Sequence, residues 1–123
     1  MIVLIFDETT PSLNALHGHH FTKKHRLRMR WHWLVKAEVR RQQIWIPPKW
    51  SRATICIERH GPRLLDFDNA RAGLKPLIDS LVVEEIITDD TPAVIGEPEL
   101  KQFVSKERKT VVYVGPRQAL DPA

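Results

Sequence analysis

Apolar positions along the chain change period several times, and each period predicts an element. Residues 2–6 (Ile-Val-Leu-Ile-Phe) form a continuous β-branched run of strand length. Thr9 to Asn14 carries turn chemistry around Pro11 and marks a loop. From Thr22 to about Gln43, Leu27, Trp31, Leu34, Val35 and Val39 recur on one stripe at the helical period. The pair Pro47-Pro48 breaks that helix and leaves Ile44 to Ser51 as an exposed loop or edge. Ala53 to Arg59 alternates, with Ile55 and Ile57 on one face, and predicts a second strand. After His60-Gly61-Pro62-Arg63 turns the chain, a helix begins with Asp68 or Asn69 as its cap. Leu74, Leu77, Ile78 and Leu81 are its buried stripe. Pro76 predicts a kink there, or a separate first turn ending near Gly73. Two further strands are expected at about 94–105 and 110–114, joined across residues 106–109 by a link of hairpin length. Residues 115–123 are expected to fray.

Composition narrows the class. A chain of 123 residues with 42% hydrophobic content predicts one domain with a modest core. The formal charge of +4 favours an anionic partner. Cys56 is the only cysteine, so no internal disulfide forms, and its place in an alternating apolar run predicts a buried, inert thiol. No run approaches the ~20 apolar residues that span a bilayer, and the first apolar run is too short for a signal segment. A cytoplasmic protein is the expectation.

The central helix is strongly basic. Lys23, Lys24, Arg26, Arg28, Arg30, Lys36, Arg40 and Arg41 surround its apolar stripe, opposed only by Glu38. Such a run is either a solvated face or a phosphate-binding one. The missing acidic partners at i,i+4 spacing favour the second, with Lys23, Lys24, Arg26, Arg28 and Arg30 as DNA contacts. His32 and Trp33 are read as packing residues rather than base-stacking ones. His17, His19 and His20 lack a zinc-like spacing of partners and are read as a solvated or DNA-facing loop.

Candidate chemistry gathers between Leu65 and Thr91. Asp66-Phe67-Asp68-Asn69 in extended backbone sends both carboxylates to one side. A helix of about three turns then returns the chain so that Asp89-Asp90 meets them. Carboxylates converging on one point call for a hard cation, Mg²⁺ or Mn²⁺. Lys75 and Asp79 lie one turn apart and are placed to pair. His60 and Arg63 precede Asp66 closely enough to line the same site. An EF-hand is excluded, because its turn glycine would fall on Arg71 and its bidentate glutamate on Leu77. No glycine-rich phosphate loop or serine elbow occurs, so neither a nucleotide cofactor nor nucleophilic catalysis is expected. Metal-assisted hydrolysis of a phosphodiester remains, with Asp66, Asp68, Asp90 and Lys75 in the site.

This arrangement resembles the RusA-like Holliday junction resolvases, small homodimeric endodeoxyribonucleases often carried by phages and prophages. The likeness rests on Asp66-Phe67-Asp68-Asn69, on Lys75-Pro76-Leu77-Ile78-Asp79-Ser80-Leu81, and on Ile87-Thr88-Asp89-Asp90, and covers most of residues 2–114. It implies Asp66, Asp68 and Asp90 as Mg²⁺ ligands and Lys75 as the essential lysine, with Asn69, Asp79 and Asp89 as secondary candidates. Lys75 stands about one helical turn further from the first motif than in the founding member, and members with Lys-Pro-Leu at the longer spacing are the nearer likeness. The loop Pro11-Ser12-Leu13-Asn14 is similar to the one after the first strand in that family, which adds Asn14 to the DNA contacts. The implied fold is α+β (α/β), one mixed sheet with helices packed against it. The implied assembly is a homodimer whose two sites nick opposed strands of a four-way junction. The competing readings are a non-catalytic DNA-binding protein that uses the 22–43 helix, and a nuclease of the same fold acting on flaps or forks.

Overall fold

Alternation decides the two faces of the sheet. Along the nine residues Ala53–Gly61, every odd position is buried and every even one is half-buried or exposed, as a strand covered on one side requires. The computed structural model describes residues 1–16 and 21–118. It runs β1 (Ile2–Phe6), α1 (Leu13–Leu16), α2 (Phe21–Arg41), β2 (Ala53–Gly61), α3 (Phe67–Ala72), α4 (Lys75–Val83), α5 (Pro92–Ile95), β3 (Glu99–Val104) and β4 (Lys109–Pro116). His17, His19, His20 and residues 119–123 lie outside the described residues. No described helix is long and apolar enough to cross a membrane.

The sheet is mixed, in the order β1-β4-β2-β3. β4 pairs antiparallel with both β1 and β2, while β3 runs parallel to β2. The fold is therefore α+β. Leu4, Phe6, Ile55, Ile57, Val112 and Val114 face a layer made by α2 and α4, where Trp31, Val35, Leu74, Leu77 and Leu81 complete the core. The other face of the sheet carries Ile5, Cys56, Glu58, His60 and Tyr113, partly open to solvent. Cys56 is thus half-buried on the open face rather than in the core. Burial and the nearby Glu99 carboxylate push its thiol up, so it stays protonated and unreactive.

The expected hairpin over residues 94–114 does not form. Residues 92–95 make a helical turn, Gly96 bends the chain at φ 58°, and only then does β3 begin. The link over residues 105–108 crosses the end of β2, which lies between β3 and β4, with Ser105 N–H donating to the Gly61 carbonyl at 2.8 Å. Nor does the chain fray at residue 115. Arg117 is buried and donates to the Ala93 and Val94 carbonyls at 2.9 and 3.2 Å.

Helix ends follow from backbone chemistry. α2 starts one residue earlier than expected and stops two earlier. Gln43 adopts φ 58°, and Ile44 N–H bonds back to the Val39 carbonyl at 3.1 Å, closing a Schellman cap. Glu85 (φ 61°) ends α4 in the same way, through Ile86 N–H to the Leu81 carbonyl at 2.9 Å. The segment after α2 is not a free loop: Trp50 N–H donates to Ile86 O at 3.1 Å, and Thr88 N–H to Trp50 O at 3.0 Å.

Glu38, the lone acid of the basic helix, has a structural role. Its carboxylate accepts the outward-facing N–H of Ile5 at 2.8 Å, while Gln42 Nε2 donates to the Val3 carbonyl at 2.6 Å. Together they occupy the free edge of β1, which would otherwise template foreign strands. Burial pushes the Glu38 carboxyl up, but Arg41, the Ile5 N–H and Gln42 outweigh it and hold the group below its ordinary value. That stabilisation is present above ordinary carboxylate titration and is lost as pH falls through the lowered value. Glu38→Gln is expected to cost about 1–3 kcal/mol near neutrality and to flatten the acid arm of the stability curve. Urea unfolding at several pH values checks this; an unchanged acid slope would remove Glu38 from the account.

Candidate functional site

Two short helices carry the central motif. Asp66 occupies the N-cap position of α3, with its carbonyl accepting from Ala70 N–H at 2.9 Å and its carboxylate capping nothing. Phe67 already begins the helix, so Asp68 lies in the first turn, where the helix dipole favours an anion. The extended Asp-x-Asp geometry expected from sequence is therefore absent, and the two carboxylates do not share a strand face. The other expectation for Pro76 holds: α3 ends at Ala72, and Pro76 sits in the first turn of α4, where its missing N–H removes no bond. Between the helices, a Cβ on Gly73 would lie 1.6 Å from the Pro11 carbonyl oxygen. Only glycine lets the loop after β1 pass this close.

Asp90 arrives by a separate route. Ile86 and Ile87 are buried, and Trp50 pins the backbone around them. Asp89 then turns its carboxylate back onto the Asp90 N–H at 2.8 Å, which braces Asp90. From α4, the Lys75 ammonium reaches both Asp79 Oδ1 (3.2 Å) and Asp90 Oδ2 (3.4 Å). The Lys75–Asp79 pairing expected from spacing is present. The Asp79 hydrogen bond, helped by the Asp90 contact and opposed by burial, raises the Lys75 ammonium above its ordinary value. Burial pushes Asp90 up, but Lys75 and Asp89 more than offset it, and the carboxyl titrates low.

Lys75 and Asp90 line a cleft of about 680 Å³. Asp68, Lys75 and Asp90 share it with Lys24 and Arg28 from α2 and with Arg71 from α3, over apolar Leu74, Ile78 and Ile95. Arg71 is ion-paired to Glu97. Lys24 and Arg28, four residues apart, take this side of the helix because i,i+4 positions share a face. Arg71 and Lys75 are each ion-paired, so Lys24 and Arg28 supply the positive charge suited to a polyanion.

Other expected residues lie elsewhere. Asp66 is exposed and outside the cleft lining, and among the described residues no three acidic, histidine or cysteine side chains gather as a metal cluster. Asn69 accepts the Asn14 backbone N–H at 3.4 Å, which ties α1 to α3. Lys23 and Arg26 are exposed on other faces of α2, and Arg30 is ion-paired to Glu8. His60 stacks on Phe103 at 4.8 Å on the open sheet face, and the Arg63 carbonyl accepts from Arg59, so neither residue lines the cleft. Sequence reading missed the Gln102 side chain. Its amide clasps both the N–H and the carbonyl of Leu65 at 3.0 Å and fixes the approach to Asp66. A single glutamine in an exposed strand gives no local signal of that role. No protein-family model and no curated protein sequence matches the chain.

Proposed function

We propose that the chain is a Mg²⁺-dependent endodeoxyribonuclease, acting as a homodimer on four-way DNA junctions. The observation that carries this reading is the single cleft holding Asp68, Asp90 and Lys75 beside Lys24 and Arg28 of the basic helix. Two carboxylates suit Mg²⁺, which keeps several waters and relies on substrate phosphates for the rest of its shell; Mn²⁺ fits the same donors. Asp68 and Asp90 would hold the ion, with exposed Asp66 two residues before Asp68 and outside the cleft. When bound, Mg²⁺ supplies Lewis-acid polarisation of the phosphoryl group. Lys24 and Arg28 neutralise the phosphates on either side of the scissile bond and set the strand's path. The Lys75 ammonium stands at the rim, where it stabilises the negative charge that accumulates in the transition state. Asp79 and Asp89 keep Lys75 and Asp90 in position.

A second reading, a non-catalytic DNA-binding protein, is favoured by one feature: Lys75 is committed to Asp79 and Asp90, while Asp66 stands apart. One experiment separates the two. The protein is incubated with a synthetic four-way junction and a matching linear duplex, with Mg²⁺ or EDTA, beside Asp68→Asn. Paired nicks in the junction that need Mg²⁺ and vanish in the variant, while its DNA affinity is kept or tightened by relief of carboxylate–phosphate repulsion, are expected. Binding without cutting under every condition would leave the DNA-binding reading. Cutting of flaps or forks in preference to junctions would move the substrate.

A further inference from the structure

The outward face of α2 carries a second surface, on the side away from the core. Arg26, Met29, Trp33, Lys36 and Arg40 recur at offsets of three and four, so they form one stripe along the helix. All five are exposed, including Trp33 at 67% and Met29 at 53%. Trp31 and Val35, at 1% and 0%, mark the buried side. The α2 ion pairs among the described residues use Arg30 and Arg41, so Arg26, Lys36 and Arg40 keep their charge free. No acidic residue lies on the stripe.

We propose that this face binds single-stranded nucleic acid, with Trp33 stacking on an unpaired base and Arg26, Lys36 and Arg40 holding the flanking phosphates. Charge complementarity selects a polyanion, since the stripe is purely cationic. The ring narrows the choice further. A tryptophan held in water has a face to offer another aromatic system, and a base–aromatic stack tolerates any sequence. Spacing fits as well. Arg26 and Arg40 each lie seven residues from Trp33, about 10 Å along the axis, roughly three nucleotide steps of a stacked strand. Met29, one turn before Trp33, extends the apolar shelf. A duplex hides its base faces and would meet only the charges. This surface is separate from the cleft, and the proposal stands whether or not the cleft cuts DNA.

The test measures affinity in EDTA for a short fluorescent oligothymidylate, for a duplex of equal length, for inorganic polyphosphate and for anionic lipid vesicles. Trp33→Ala is expected to weaken oligothymidylate binding by about 5- to 150-fold and to leave duplex and polyphosphate binding within twofold or so. Trp33→Phe should restore most of the loss. Lys36→Ala and Arg40→Ala should each lower the salt slope by about 0.7, which Trp33→Ala should not. Wild-type affinity of Trp33→Ala for oligothymidylate would overturn the proposal. So would equal losses on single strand and duplex, or a preference for vesicles over oligothymidylate. These affinities are read in EDTA, without any cutting, so a failure here is distinct from a failure of the nuclease reading.

Discussion

Lys75→Met is expected to raise the pKa of the Asp90 carboxyl and, on the nuclease reading, to slow junction cutting by about 10²–10³. Opposing influences act on the Asp90 carboxyl. Burial alone pushes Asp90 up; the Lys75 ammonium at 3.4 Å and the Asp89 contact pull it below its ordinary value. Methionine keeps the length of the side chain and removes the charge, so burial is left opposed by Asp89 and a backbone N–H alone, and Asp79 faces Asp90 without a cation between them. In the wild type, the Asp90 contribution to stability is present above ordinary carboxylate titration, around pH 4. It is lost as pH falls through the lowered value. The Lys75 contribution is complete below its ordinary titration and is lost only as pH rises through a raised value. Both windows therefore include neutrality. Carbon-detected NMR titration of the carboxyls reads the shift without any appeal to activity. An Asp90 that titrates identically in both proteins would break the electrostatic link, and full cutting by the variant would remove Lys75 from the chemistry.

Trp31→Ala is expected to cost about 3–5 kcal/mol of folding stability, a large share of the roughly 5–15 kcal/mol that a domain has. Trp31 is 1% exposed and meets Phe6 of β1 edge-on, with ring centroids 5.5 Å apart at 74°. It joins the long helix to the edge strand, the same contact that Glu38 and Gln42 serve with polar groups. Truncation opens a large cavity and removes an aromatic pair worth about 0.5–1.5 kcal/mol beyond area alone. Trp31→Phe should recover part of the loss, since it keeps a ring beside Phe6. Denaturant unfolding near neutral pH decides the matter. A loss under about 1 kcal/mol would mean that the site collapses around the gap.

Periodicity carried most of the architecture. The stripe through Trp31, Val35 and Val39 is buried as its spacing requires, and Ile55 and Ile57 sit on the covered face of β2. What periodicity could not carry was pairing. The polar link after β3 has hairpin length, yet the strands on either side of it are separated by β2, because length limits reach and does not choose a neighbour. Trp33 illustrates a different failure. It was read as packing, but it stands two residues from Trp31 and so on the opposite face of the helix, a conclusion that its spacing alone would have supported. In the cleft, Asp68, Lys75, Asp90, Lys24 and Arg28 were all legible as residue types at workable spacings. Asp66 was misplaced, since the extended geometry assumed for Asp-x-Asp gave way to a helix that starts at Phe67. Gly73 was read only as a stop, because a close approach by Pro11, sixty-two positions earlier in the chain, leaves no trace in its neighbours.

The order β1-β4-β2-β3 means that the last strand is an interior one. β1 touches the rest of the sheet only through β4, across the register from Ile2↔Val114 to Phe6↔Thr110. On a ribosome, then, the first strand to emerge waits for nearly the last, and the edge of β1 that pairs with β4 remains open until the C-terminal segment inserts beside it. Helices α2 and α4 form from neighbouring residues and precede that event, whereas closure of the sheet is long-range and slow. A nascent chain halted before Lys109 holds β2 and β3 as a parallel pair and leaves β1 only its contacts with Trp31, Glu38 and Gln42 of α2.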